Sequence, residues 1–410
     1  MTPHGVLGNG VSVMTIKRST AEFYTRQLRR ETANLGGWDM VSSTLSEVES
    51  VLQEPNGSGL ADAIHGFFEA WNNLSVDPEN GSMRVAVVEA ANRLTETFHS
   101  VDNALEQITD NLNNQISADV DKVNNIMKRI SDLNGQIVSV ESKDVTANDM
   151  RDERDRLLME LSKIVKIDAK EDRFGSVDVY INGTNVVHRT EVSYLEVVNG
   201  SDSNDTSLLI KIDKGDDPLE LESGELAGIV QARDRYMKEV RASLDHVASV
   251  LIDRVNELHR QGWTPQGSGY DFFEGDSAGT ISVAYVIKNN PGLVATSYDG
   301  TVGDNSLAND IAALSEQAIS EDDRRTINGL YDSVVAVVGT YSRTAKNMAA
   351  NQQLICENLD TKRESIVGVN LDEEMVKLSQ YQQSYQAAAR MVKVVESLIQ
   401  TVIDLPAGMY

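Results

Sequence analysis

The residues able to bind metals or to carry out catalysis are few and scattered in this sequence. Six histidines occur, no two of them three or four residues apart on one helix face: His4, His65, His99, His188, His246 and His259. Each is expected to be a surface residue or a hydrogen-bonded core residue. The single cysteine, Cys356, follows Ile355 in a helical pattern and is expected to be a small buried hydrophobe. Because the common phosphate-binding, hydrolase, zinc and paired-cysteine motifs do not occur, the sequence predicts no enzyme, metal site or cofactor.

Charged residues cluster in a run from Asp149 to Arg156. Opposite charges four residues apart predict a solvated helix face with weak ion pairs between Asp152 and Arg156 and between Arg151 and Asp155. The acidic loops 201–205 and 213–217 could hold calcium, but neither has the ligand spacing of an EF-hand loop. Solvated turns are therefore the expected structure of both loops.

The overall composition excludes several classes of partner. The chain has 410 residues and a net charge of −26, so nucleic acid and anionic membrane surfaces are not expected to bind it. No run approaches the roughly 20 apolar residues of a membrane span, and the start does not resemble a cleavable signal peptide. Seven prolines and an aromatic share of 5% are typical of long helices.

The most informative segment runs from Ser82 to Val140. Its apolar residues alternate in steps of four and three, which is the pattern of a coiled-coil seam: Val87, Ala91, Leu94, Phe98, Val101, Leu105, Ile108 and Leu112. Ile116 and Val120 then follow in two steps of four before the alternation resumes, which indicates a stutter. We expect one helix to continue through the stutter and to form a rod about 80 Å long.

A period of two replaces the helical pattern between Ile164 and Glu222. Val177, Val179 and Ile181 alternate with polar residues, and Asn182-Gly183 is a two-residue hairpin signal. Further strands are expected at Leu208–Ile212 and Leu219–Leu221. This segment is predicted to be a small antiparallel β insertion. A short strand is also expected near Val11 and Val13.

Helical periodicity returns after the insertion. One helix is expected from Leu226 to Leu258, with Arg233 and Arg254 in seam positions, and an irregular, glycine-rich stretch follows it to about Gln317. A helix with the stripe Ile327, Leu330, Val334, Val337, Tyr341, Met348, Ile355 and Leu359 is followed by a last helix ending before Pro406.

These elements predict a mainly α fold with a β insertion. Long helices from both ends of the chain would form an elongated bundle or coiled-coil rod, because they can bury their stripes only against one another. The expected divisions are an N-terminal rod segment (1–163), the β insertion (164–223), a returning helix (224–261), an irregular region (262–320) and a C-terminal rod segment (321–410).

The last helix carries apolar residues at heptad spacing: Leu371, Met375, Leu378, Tyr381, Tyr385, Ala388, Val392, Val395, Ile399 and Val402. Glutamine, alanine and small residues occupy much of its remaining surface. Two interpretations stay open at this point. The helix could be an ordinary member of the bundle, or it could be packed on several sides by other chains, as in the wall of a polymer.

The last helix also resembles a known signature. Leu371–Met375 leading into Tyr381–Arg390 is similar to the C-terminal motif of axial proteins of the bacterial flagellum. Other segments resemble the hook-associated protein 1 family of hook-filament junction proteins, in the family's order: Gly59–Ser75, Asp77-Pro78, Arg84, Ile130–Ile137, Arg151–Asp155, Gly224–Gly228, Asn256–His259, Phe272-Phe273 and Asn290-Pro291.

The resemblance implies a non-catalytic structural protein that is secreted by the flagellar type III route and forms a ring at the hook-filament junction. Its implied partners are the hook protein, the second hook-filament junction protein, further copies of itself and an export chaperone. By position, Leu371–Leu405 takes the axial and chaperone-binding role. Family members begin with an additional axial helix and loop, so the written start is expected to be truncated or preceded by an upstream start codon. The alternative function is a type III secreted coiled-coil effector or adhesin.

Overall fold

A computed structural model describes residues 18, 20–52, 59–143, 145–200, 208–213, 215, 217–319, 323–368 and 371–403. The strand expected near Val11 and Val13 and the loop 201–205 lie outside these residues, as do two positions of the loop 213–217. The long helices are α1 (Glu22–Leu52), α2 (Leu60–Val76), α3 (Gly81–Glu141), α4 (Asn148–Ile164), α6 (Lys238–His259), α9 (Ile327–Val367) and α10 (Leu371–Ile403).

Helix α3 is the rod on which the other elements are assembled. It is one unbroken helix of 61 residues, and it begins where the Asn80 side chain accepts a hydrogen bond from the Ser82 amide at 3.0 Å. The seam residues from Val87 to Ile130 are buried, including Ile116 and Val120 at the stutter. The predicted continuous helix is therefore confirmed, and at about 1.5 Å per residue it spans about 90 Å.

Helices from the two sides of the β insertion pair through α1 and α9, which run antiparallel. The Tyr331 hydroxyl donates to the Leu52 carbonyl at 2.9 Å at one end of the pair. At the other end, Cys356 and Leu359 pack with Leu28. The expectation that both ends of the chain contribute to one helical body is confirmed.

The predicted buried stripe of α9 is wrong over part of its length. Val337, Met348 and Ile355 are 42–44% exposed, whereas a neighbouring line is buried: Val338, Ser342, Ala345, Ala349 and Cys356. These small residues face α1 and permit a close approach of the two helices. The predicted residues Ile327, Leu330, Val334 and Leu359 are buried, so the prediction is wrong only between Val337 and Ile355.

The returning helix contains an irregular turn. Helix α5 (Glu225–Gln231) passes through a π-helical segment, Ala232–Met237, before α6 begins. A π turn adds one residue to the helix, so it changes which residues of the preceding turn point towards the core. Consequently Ile229 is buried in place of the predicted Val230, while the predicted residues from Met237 to Leu251 are buried as expected. Arg233 lies inside the π segment and is buried, whereas Arg254 is only half-buried.

The β insertion consists of two antiparallel sheets. Strands β1 (Asp168–Glu171), β2 (Val177–Ile181), β3 (Thr184–His188) and β4 (Glu191–Val192) form one sheet in sequence order, and β5 (Leu195–Asn199) pairs with β6 (Leu208–Ile212). Positive φ angles of 45° at Asn182 and 79° at Gly183 form the predicted hairpin turn. The predicted strand Leu219–Leu221 is wrong, because these residues are not in a strand and the only bridge nearby joins the preceding Pro218 to Lys211.

The segment predicted as irregular contains short elements that cover the rod. These are β7 (Trp263–Thr264), β8 (Gly267–Ser268), β9 (Phe273–Glu274), β10 (Ser282–Val283), α7 (Tyr285–Asn289) and α8 (Ser306–Ala313). Helix α8 packs on α2 and buries Leu307, Ala308 and Ile311. The i, i+1, i+4 spacing of those three residues was the available signal for this helix.

Candidate assembly surface

Helix α10 presents the largest set of exposed apolar side chains on the described molecule. None of its residues is buried, and the nine large side chains of the predicted stripe are 50–77% exposed. Ala388 is exposed as well. The structure thus places all ten predicted residues on one helix and brings none of them into the described core. Of the two interpretations left open by the sequence, packing within the chain's own bundle is not seen among the described residues.

The arrangement of α10 suits contact with more than one partner. Steps of three and four residues hold the predicted stripe on one face of the helix. In the C-terminal half, a second set, Met391, Val394 and Leu398, is 53–68% exposed beside that stripe. Monomeric proteins rarely expose contiguous apolar patches of this extent unless the patch is an interaction site. The geometry therefore favours packing by other helices over a large part of the circumference.

The first turn of α10 makes local interactions that stabilise the helix. Asp372, Glu373 and Glu374 occupy its first turn, where carboxylates interact favourably with the helix macrodipole. Glu374 also pairs with Lys377 at 2.8 Å, which raises the pKa of the lysine. These local interactions support the helix but supply little of the stability that burial of its apolar face would provide.

The charged run on α4 has a structural role that the sequence did not predict. Neither of the two ion pairs expected within the helix forms. Arg151 instead contacts Glu141 at 2.7 Å and Glu171 at 2.6 Å, while Asp152 and Asp155 both pair with Arg18. Arg156 does pair within the helix, with Glu153 and Glu160, but the partners of Arg151, Asp152 and Asp155 come from other segments, which spacing along one helix cannot identify. The run therefore joins α3, β1 and the chain preceding α1 to α4.

Arg154, predicted to be solvated, is 1% exposed. Its guanidinium donates to the Asn134 side-chain oxygen at 3.1 Å and to the Gly175 carbonyl at 2.6 Å, and burial lowers the pKa of the arginine. Asn134 also donates to the carbonyls of Val177 and Arg189 and accepts from the Val177 amide. An asparagine on the buried line of α3 between Ile130 and Ile137 was the signal for this anchor of the β sheet.

A cluster of aromatic rings joins α2 to the segment after α6. The Phe67 ring lies 5.8 Å from Phe272 and 5.4 Å from Phe273, while Trp71 lies 5.4 Å from Phe272. The Asn256 side chain secures this segment by accepting from the Phe272 amide at 2.8 Å and donating to the Phe273 carbonyl at 2.8 Å. Aromatic pairs in these tilted and edge geometries add to the stability gained by burial.

His259 belongs to the same core. Its contacts assign a neutral imidazole whose Nδ1 donates to the Tyr270 carbonyl at 2.8 Å and whose Nε2 accepts from the Ala295 amide at 3.2 Å. Burial lowers the pKa of His259 to about 4. This histidine is therefore a hydrogen-bonded core residue, one of the two environments predicted for the histidines.

The remaining candidates for chemistry are isolated. Cys356 is buried as predicted, and burial raises the pKa of its thiol, which disfavours the reactive thiolate. Within the described ranges, no three His, Cys, Asp or Glu side chains converge in a way that could hold a metal ion. No helix in that part of the chain has the length and apolarity required to cross a membrane.

The comparisons with known proteins agree on one family. The sequence model of the flagellar hook-associated protein FlgK helical domain matches residues 45–273, more than half of the chain. That of the flagellar basal body rod FlgEFG protein C-terminal region matches residues 364–405, which include α10.

Individual relatives extend the match over nearly the whole chain. The flagellar hook-associated protein 1 of Bacillus subtilis is 28% identical over 98% of this chain and 87% of its own length. The corresponding proteins of Salmonella typhimurium and Escherichia coli are each 24% identical, again over 98% of this chain and over 91% and 90% of their own lengths.

A solved structure has the same fold. The flagellar hook junction protein FlgK from Burkholderia pseudomallei superimposes with a TM-score of 0.72 at 13% identity, covering 83% of this chain and all of that one. The effector or adhesin alternative receives no support from these matches. The resemblance of the motifs and the mainly α fold with its β insertion are confirmed, and the chain belongs to the flagellar hook-associated protein FlgK family.

Proposed function

We propose that this chain is a non-catalytic structural subunit that joins the hook of a bacterial flagellum to the filament. The observation that carries the proposal is α10, an apolar helix without a buried residue in a member of a flagellar hook-associated family. A polymer subunit needs such a surface, because its packing partners are other subunits. The hook protein and the second hook-filament junction protein are the proposed neighbours of the ring that this chain forms with copies of itself.

Assembly supplies the burial that the free chain does not have. Fully burying one large apolar side chain contributes roughly 1.5–3 kcal/mol, and the stripe of α10 contains nine. That gain offsets the conformational entropy lost when the helix and its side chains are fixed in a packed layer. The residues Leu371, Met375, Leu378, Tyr381, Tyr385, Ala388, Val392, Val395, Ile399 and Val402 are accordingly proposed as the axial packing surface.

The same surface requires a partner before assembly. An exposed apolar helix at cellular concentrations is prone to nonspecific association. An export chaperone that covers α10 until the chain enters the flagellar type III route would prevent this association. The chaperone and the neighbouring subunits are therefore proposed to use one surface at different stages.

The proposed packing role of α10 is tested by replacing one residue of its apolar stripe with aspartate. Leu378→Asp or Val392→Asp places a carboxylate in the proposed packed layer, where an unpaired charge is strongly unfavourable. Val302→Asp is the matched control, because Val302 is 80% exposed in a turn that is not part of α10. The two stripe variants should abolish motility and incorporation into flagella without changing the thermal unfolding of the purified chain, whereas the control should behave as the unsubstituted protein.

Immunogold electron microscopy locates the subunit. With antibody against the β insertion, a single band of label at the boundary between hook and filament is expected. Label along the whole filament would overturn the junction role, and unlabelled flagella would overturn the flagellar role. Normal motility of the Leu378→Asp and Val392→Asp variants would refute the packing role of α10.

A further inference from the structure

A cationic cleft lies between the start of α1 and strand β1. Its volume is about 500 Å³, and five basic side chains line it against two acidic ones, Glu31 and Asp168. The basic residues are Arg26, Arg29, Arg30, Lys166 and Lys170. The chain as a whole has 63 acidic and 37 basic residues, so this local excess of positive charge is opposite in sign to the net charge of the molecule.

Three of these cations have no carboxylate partner among the described residues. Arg29 lies 3.4 Å from Asp155, and Lys166 pairs with Glu222. Arg26 and Arg30 are exposed and make no ion pair within the described chain. Lys170 contacts only the Tyr180 ring, with its Nζ 5.4 Å from the ring centre. The positive charge of the cleft is therefore available to a partner.

The cleft also has an apolar contact point. Phe23 lines it and is 65% exposed, and its ring is held edge-on against Tyr24 at 5.3 Å. Arginine and aromatic side chains are the residue types that most often dominate protein interfaces. The chemistry of the cleft thus fits a short acidic segment flanked by apolar residues.

The first turn of α10 has this chemistry. Asp372, Glu373 and Glu374 are flanked by Leu371 and Met375, which are 76% and 64% exposed. Glu373 makes no ion pair with another described residue. Charge and apolar character therefore complement the cleft over a segment of five residues.

The fold brings the two surfaces to the same end of the molecule. Leu359 of α9 packs beside Leu28 of α1, and α9 continues past this point to Val367 before α10 begins. The cleft lies at the start of α1, at this same end of the α1–α9 pair. Copies arranged side by side with these ends at the same level would therefore bring the acidic turn of one copy towards the cleft of the next.

We propose that the cleft lined by Phe23, Arg26, Arg30 and Lys170 receives the acidic first turn of α10 from a second copy of this chain. This inference rests on the proposed function, because it assigns one contact between subunits in the ring. The contact would set the register between neighbouring copies, since ion pairs fix orientation more than they add affinity. Packing of the apolar stripe would supply most of the free energy of assembly.

Disulfide trapping between two differently substituted chains tests the contact. One chain carries Arg30→Cys, the other carries Glu373→Cys, and both carry Cys356→Ala to remove the native thiol. Flagella from cells producing both chains are purified and mildly oxidised. A cross-linked band at twice the 45.0 kDa chain mass is expected, and it should form only when both substituted chains are present.

The controls separate the contact from the junction role. Val302→Cys replaces Arg30→Cys in the control pair and should give no cross-link. Flagella that contain both substituted chains but give no Arg30–Glu373 cross-link would overturn the contact and leave the proposed function intact. Absence of the unsubstituted chain from flagella would overturn the proposed function and the contact together.

Charge reversal provides an independent measurement. The double change Arg26→Glu and Arg30→Glu should reduce incorporation into flagella about tenfold, because it replaces attraction by repulsion at two positions. Adding Glu373→Arg to the same chain should restore a large part of the loss, since every neighbour then carries the complementary charge. Full incorporation of the double variant, or a failure of Glu373→Arg to restore it, would contradict the contact.

Discussion

The crossing of α1 and α5 depends on a glycine whose replacement has a predictable cost. Gly228 approaches Gly37 so closely that an added Cβ would lie 2.4 Å from the Gly37 carbonyl oxygen and 2.9 Å from its Cα. Ordinary contact begins at about 3.4 Å, so Gly228→Ala would force the two helices apart by about 1 Å. Since the clash is with backbone, no side-chain rotation relieves it, and we expect a loss of about 1–3 kcal/mol in the free energy of unfolding.

Gly66→Ala is the matched control. Gly66 lies within α2, and nothing stands within 4 Å of the position of an added Cβ. The same chemical change should therefore stabilise the protein by about 0.5–1 kcal/mol through helix propensity. Urea unfolding followed by circular dichroism measures both variants. If Gly228→Ala is as stable as Gly66→Ala, the close approach at the α1–α5 crossing does not determine its stability, and the reasoning is refuted.

Two further predictions concern buried polar groups. The pKa of His259 falls from 6.5 in the unfolded chain to about 4 in the folded one, so below about pH 6.5 the unfolded state takes up a proton that the folded state does not. Stability should therefore fall by about 3 kcal/mol as the pH is lowered from 6.5 to 4, and His259→Gln should remove this part of the pH dependence in urea titrations. Asn134→Leu should cost about 2–4 kcal/mol in the same assay, because it leaves the buried Val177 amide without an acceptor and removes one of the two oxygens that accept hydrogen bonds from the buried Arg154. The exposed Asn125→Leu should cost under about 0.5 kcal/mol, and equal losses for the two asparagine variants would contradict the anchoring role of Asn134.

The periodicity of apolar residues predicted the helices whose buried face repeats regularly along the chain. The heptad pattern of α3 identified a 61-residue helix and its buried face, because the burial of a long seam repeats every few residues along the chain. The same rule failed in α9, where Ala345 and Ala349 pack on α1 and the large residues Val337 and Met348 remain exposed. The size and spacing of apolar residues alone do not reveal that two helices, such as α1 and α9, approach closely through small residues.

The spacing of residues along the sequence could not predict contacts between distant segments of the chain. The sequence of α4 suggested ion pairs along one helix, but the partners of Arg154 come from α3 and from the turn before β2. The π turn at Arg233 shifted the buried face of α5 by one residue. The ten residues of the α10 stripe were found from their heptad spacing, whereas the cleft beside Phe23 combines residues from two regions about 140 positions apart and has no local signal.

The β insertion leaves and rejoins the helical body at adjacent points. The Lys166 amide donates to the Ser223 carbonyl at 3.0 Å, and Gly224, with a φ of 111°, lies so near the end of α4 that an added Cβ would stand 2.5 Å from the Ile164 carbonyl oxygen. The 56 residues between Lys166 and Ser223 therefore form a closed excursion from the rod, and the entropy of closing such a loop changes only slowly with its length. A change in the length of a turn between the strands should therefore alter the closure entropy little and leave the path of the rod fixed. The strands beside α3 and α4 are less free to change, because Asn134 and Arg154 hold them on the rod.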